Sequence, residues 1–171
     1  MSNLLTQIIF NQTKILFENI ANQIMSSDLS CMVDNVNNSR FLFHTIHSMD
    51  KYFINPYQYN YEVNELIDIS EDYSVISQQR EGYRAAEGFV IPREKLQCYF
   101  DFVKAKIENY LAALTDEELT QCPPNCPYTR LDLILAQFRH AMFHAGMSEI
   151  VTFNTKGQWI AWAGLPYIGK Q

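Results

Sequence analysis

The sequence predicts an all-α protein, specifically a four-helix bundle with one long crossover connection. Three observations point there. Four long stretches repeat their apolar residues at steps of three and four, caps or breakers bound each stretch, and no two segments pair as alternating strands.

Each element follows from its residues. In residues 4–25, Leu4, Leu5, Ile8, Ile9, Leu16, Ile20 and Ile24 recur with helical spacing and mark one packing face. Asn11, Gln12, Lys14, Glu18 and Asn22 interrupt that run, so it suits neither a signal peptide nor a membrane span. After a break over 26–34, any residue from Asn37 to Ser39 is a good N-cap for a second helix running through Phe53. Phe41, Leu42, Ile46, Met49, Tyr52 and Phe53 form its apolar face. Asn55-Pro56 ends it, because the residue before proline avoids the α region. Residues 57–90 lose periodicity apart from a helical fragment around 72–80. A connection of that length is either functional or wraps the body of the fold.

Pro92 suits the first position of a third helix, whose buried face reads Leu96, Tyr99, Phe100, Val103, Ile107, Tyr110, Leu111 and Leu114. Thr115-Asp116-Glu117-Glu118 is a capping box for a short helix ending before Cys122. Thr129 caps a fourth long helix that reaches about Phe153, with Leu131, Ile134, Leu135, Phe138, Met142 and Ala145 as its seam. An aromatic tail follows, with Trp159, Trp162 and Tyr167.

At 171 residues the chain reads as one domain, 1–171, and its 47% hydrophobic and 19% charged shares are those of a globular protein. The net charge is −6, and the 13 Lys and Arg are scattered without a basic stripe, which argues against nucleic acid as a partner. Without a targeting or membrane segment the expected location is the cytoplasm, where the four cysteines stay reduced. Cys31 and Cys98 then read as small apolar fillers. Cys122-Pro-Pro-Asn-Cys126 lacks the second pair of ligands that a zinc knuckle needs.

The four histidines fall in two clusters, His44 with His47 and His140 with His144. The spacing of His140 and His144 places both imidazoles on one helix face, about 40° apart and one turn from each other. They share a stripe with Leu133, Met147 and Val151, roughly opposite the seam. That pair plus one histidine of the second helix makes three nitrogen ligands and leaves an open position, the arrangement of catalytic rather than closed metal sites. The plainer alternative is a set of core histidines with backbone partners and no metal, and spacing leaves open which of His44 and His47 takes part. Arg139 lies about 100° from His140 and reads as a surface or salt-bridge residue. Gly146 reads as a point of close helix packing.

Two segments carry a family resemblance. The run Phe41-Leu42-Phe43-His44-Thr45-Ile46-His47-Ser48-Met49-Asp50-Lys51-Tyr52-Phe53 resembles the second-helix motif of the DinB/YfiT-like superfamily, a metal-binding His followed by an apolar stretch, an acidic residue and an aromatic. Leu135-Ala136-Gln137-Phe138-Arg139-His140-Ala141-Met142-Phe143-His144-Ala145-Gly146 resembles its fourth-helix Arg-His-x-x-x-His-x-Gly pattern, and the likeness extends over about residues 5–165. It implies a homodimeric four-helix bundle with a three-histidine divalent metal site, usually nickel or zinc. The implied ligands are His44, His140 and His144; His44 is preferred to His47 because Asp50 and Tyr52 then follow at family-like distances. Relatives include thiol-dependent transferases and isomerases that use bacillithiol or mycothiol. One departure is Phe143, where many relatives carry a second His beside the ligand. Two functions follow as expectations: a metal-dependent transferase or hydrolase acting on a small molecule with a low-molecular-weight thiol, or a non-catalytic dimeric bundle that binds a metal or small ligand.

Overall fold

A computed structural model describes residues 3–33, 36–60, 67–77 and 88–170, and it is an all-α bundle. Its long helices are α1 (Leu4–Ser26), α2 (Asn38–Tyr52), α3 (Arg93–Ala113) and α5 (Arg130–Lys156), with the one-turn α4 (Asp116–Leu119) between the last two. In space they form a ring: α1 packs on α3, α3 on α2, α2 on α5, and α5 closes on α1. Phe17, Ile20, Ile24, Phe43, Ile46, Met49, Phe53, Tyr99 and Phe100 fill the middle and are essentially inaccessible to water.

The boundaries follow local chemistry. The Asn37 side chain accepts from the Arg40 amide and starts α2. Reciprocal capping boxes start α4 (Thr115 with Glu118) and α5 (Thr129 with Asp132). Gly157 ends α5 in the left-handed conformation, at φ 67°. Pro92 stands just before α3 rather than as its first residue.

Several expectations need correction. A small antiparallel pair, β1 (Met32–Val33) with β2 (Val36–Asn37), leads into α2 where no strand was expected. Of the helical fragment foreseen at 72–80, only a 3₁₀ turn, Glu71–Ser74, is seen; residues 78–80 lie outside the described ones. Leu4, Leu5 and Ile8 are exposed at the start of α1, which is tied to the short α4. There the Asp116 carboxylate accepts from the amides of Leu5 and Thr6. Tyr52 and Leu135 are exposed as well, and Tyr110 is half-buried.

The buried stripe of α5 is Ile134, Gln137, Ala141, Ala145, Ser148 and Thr152, turned from the expected seam toward the histidines, with His144 on its edge. Small polar side chains explain the rotation. Ser148 Oγ meets Ser27 Oγ at 2.9 Å and Thr152 Oγ1 accepts from the Asp28 amide at 3.1 Å, so α5 closes on the end of α1 through hydrogen bonds that an apolar count ignores. Gly146 faces outward with open space around it, so it marks no close approach. Cys98 and Cys122 are exposed, Cys31 is half-buried and Cys126 is buried; all four are free thiols, and Cys98 is therefore no filler. The C-terminal tail runs along α1, where Asn19 exchanges two hydrogen bonds with the Ala163 backbone and Tyr167 reaches Glu18. Among the described residues no helix is long and apolar enough to cross a membrane.

Candidate metal centre

The α2–α5 contact creates the site. One turn separates His140 from His144 on α5, and His44 approaches from α2. The Nε2 atoms of His44 and His144 each lie 3.1 Å from His140 Nε2, and the three potential ligand atoms fall within 4.8 Å of one another. Nitrogens bound about 2.05 Å from a tetrahedral zinc stand about 3.3 Å apart, close to this arrangement. Of the two α2 histidines, His44 joins the group and His47 does not.

The orientation of His44 is built from the backbone. Its Nδ1–H donates to the Ser74 carbonyl, which leaves the Nε2 lone pair directed at the other two rings, as a metal-binding imidazole requires. The turn that carries Ser74 is itself held by Arg40, whose side chain is fully buried. The Arg40 guanidinium donates to the carbonyls of Asp72 (3.2 Å), Tyr73 (3.3 Å) and Val75 (2.6 Å) and stacks over the Tyr73 ring at 5.3 Å. Arg40 thereby staples the Glu71–Ser74 turn onto α2. The residue-by-residue reading missed Arg40; its signal was a lone charged residue one turn before His44, in a stretch otherwise destined for burial.

Burial, and then the neighbouring His44 and His140, push the pKa of His144 down to about 3. Its ring is therefore neutral and able to donate a lone pair at physiological pH. Its Nδ1 is buried with no hydrogen-bond partner among the described residues.

The three rings line a cavity of about 800 Å³ that also takes in His47, Glu71 and Phe143. Gln137 is a further wall residue that sequence reasoning passed over; its buried Oε1 has no partner among the described residues. Phe143, the departure from the expected motif, is exposed and meets the His144 ring edge-on at 5.1 Å. Part of the 57–90 connection walls the cavity, namely the turn around Glu71–Ser74 and the residues just after it. The aromatic tail does not, because Trp159 stacks on Phe153 and Trp162 is exposed beside α1. Arg139 lies in a neighbouring trough with Tyr52, Tyr57 and Tyr128, outside the histidine cavity.

His47 belongs to a second polar system. It contacts Glu71 Oε1 through Nε2 at 3.2 Å and the Tyr99 hydroxyl through Nδ1 at 3.1 Å. Tyr99 and Tyr59 donate to the buried carboxylate of Asp50, which pairs with Lys106 at 2.7 Å. Burial lowers the pKa of His47, against the pull of Glu71. Burial and then the hydrogen bond to Asp50 raise that of Tyr59, and burial followed by the Asp50 charge raises that of Tyr99.

No known protein family, curated protein or solved structure matches this chain.

Proposed function

We propose that this chain is a divalent-metal protein in which His44, His140 and His144 hold the ion through Nε2. The observation that carries this is the convergence of three imidazole nitrogens at the α2–α5 contact, with the tautomer of His44 set by the Ser74 carbonyl. Three neutral nitrogen donors suit zinc or nickel, and both are within the range that such a site accepts.

Its activity, in this reading, is that of a metal-dependent enzyme of the thiol-dependent transferase or hydrolase type. A divalent ion with three protein ligands keeps one position open and supplies Lewis acidity that favours the deprotonated form of a thiol or water. The chain's own residues supply the remainder. The cavity beside the tripod has room for a small substrate, Phe143 offers an apolar edge, and Gln137 offers a buried acceptor. The likeness of the His44 and His140/His144 segments to DinB/YfiT-like motifs supports the same reading, with a homodimer in the cytoplasm as its further expectation.

Metal analysis of the purified protein, with His44→Ala, His140→Ala and His144→Ala variants, tests the site. One nickel or zinc per chain is expected in the wild type, with loss of tight binding in each variant. A wild type without stoichiometric metal, indistinguishable from the variants in titrations, overturns it. Thiol-transfer assays against electrophilic substrates then test the chemistry; a metal-loaded protein inert with every thiol points to a binding module.

A further inference from the structure

From the cavity a polar chain runs into the core. Its three contacts are Glu71 Oε1 to His47 Nε2 at 3.2 Å, His47 Nδ1 to the Tyr99 hydroxyl at 3.1 Å, and that hydroxyl to Asp50 Oδ2 at 3.1 Å. An ammonium holds each end: Lys51 meets Glu71 Oε1 at 3.3 Å and Lys106 meets Asp50 Oδ1 at 2.7 Å. Tyr59 donates its own proton to Asp50 and stands outside these three contacts.

Three hydrogen-bonded contacts need three protons. Ionised carboxylates bring none, the Tyr99 hydroxyl brings one, and a neutral imidazole brings one. With His47 neutral the chain is therefore one proton short in either tautomer. The gap stands at the Glu71 end when His47 donates to Tyr99 and Tyr99 to Asp50. It stands at the Asp50 end when Tyr99 donates to His47 and His47 to Glu71. Burial of His47 keeps it neutral, and the gap present, in the physiological range.

We propose that this chain is the proton acceptor for a thiol or water entering the histidine-lined cavity, a role that rests on the metal reading above. When a thiol enters, its S–H bond breaks, the electron pair stays on sulfur, and the proton settles between Glu71 Oε1 and His47 Nε2, completing the third contact. No redox partner is required. Before the thiol enters, burial keeps His47 neutral against the pull of Glu71 and Asp50; the negative charge left on sulfur is the new element that lets the ring hold the proton at Nε2. Glu71, whose side chain is one-third exposed, is the member the ligand meets; His47, Tyr99 and Asp50 lie behind it.

The experiment is calorimetric titration of 2-mercaptoethanol into the zinc-loaded protein at pH 7.5, in buffers of different ionisation enthalpy, which counts protons released per thiol bound. The wild type retains the thiol proton and releases almost none. In Glu71→Gln an amide N–H supplies the missing hydrogen and closes the gap, so about one proton per thiol is released while zinc affinity is unchanged. His47→Gln breaks the chain at its centre and gives the same release. Equal proton release by wild type and both variants, with zinc bound in all three, overturns the proton-acceptor role alone. A wild type that does not hold zinc overturns the metal reading and this role together.

Discussion

Two polar clusters sit one helical turn apart on α2, and their charges are arranged on opposite plans. The cluster of His44 is made of imidazoles joined nitrogen to nitrogen. The cluster of His47 sets an ion pair at each end, Lys51 with Glu71 and Asp50 with Lys106, and joins them through His47 and Tyr99. The second stabilises itself, because each carboxylate has an ammonium and a hydroxyl or ring nitrogen against it. The first gathers lone pairs with no carboxylate or ammonium among its members, a donor set that could hold a cation. One step around α2 decides the difference: His44 faces α5 and two more rings, whereas His47 faces α3, with Tyr99 and Lys106.

That contrast can be broken most forcefully at Asp50. Asp50→Ala removes the acceptor of Lys106, Tyr59 and Tyr99 inside the core. It should cost about 3 kcal/mol of unfolding free energy, the low end for a broken buried pair because Lys106 is one-third exposed. Denaturant melts measure it, and a loss under about 1 kcal/mol would show the cluster to be loosely held.

Next in size is metal affinity. His144→Ala should weaken zinc binding by at least about 100-fold, or about 2.7 kcal/mol, since even partners behind the ligands commonly count for 10–100-fold. His47→Gln should leave affinity within a few-fold. Competition against a chelating dye separates the two, and similar losses at both positions would erase the distinction between the clusters.

Acid provides a subtler comparison. His144 and His47 both have folded-state pKa values below the ordinary 6.5, by burial first in each case. Below that pH the unfolded chain binds protons that the folded one refuses, so the metal-free protein loses stability as pH falls from 6.5 toward the value of about 3 for His144. Above 6.5 the contribution is fully present. Melting temperatures recorded in chelator between pH 7.5 and 5 should decline on the acid side, and a flat profile contradicts the burial of neutral rings.

The smallest effect tests the outer face. Gly146→Ala has open space for its methyl group and should stabilise α5 by about 0.5–1 kcal/mol, with metal stoichiometry unchanged. A destabilised variant would restore the close-packing role that spacing suggested for this glycine.

What the sequence by itself determined was local. Apolar periodicity placed the four long helices. A cap among Asn37 to Ser39 and one at Thr129 marked two of their starts, Thr115 that of the short α4, and four-residue spacing put His140 and His144 on one face, because caps and neighbouring turns depend on contacts within a few residues. The motif likeness already favoured His44, whereas spacing alone left His47 equally eligible. Tertiary structure decided which α2 ring meets the α5 pair, since His44 and His140 are 96 residues apart along the chain. It also decided that Arg40 holds a turn more than 30 residues away, that Ser148 and Thr152 face inward, and that the aromatic tail lies along α1. Buried hydrogen bonds between distant segments are satisfied only when the whole chain closes, so no periodicity within one helix announces them.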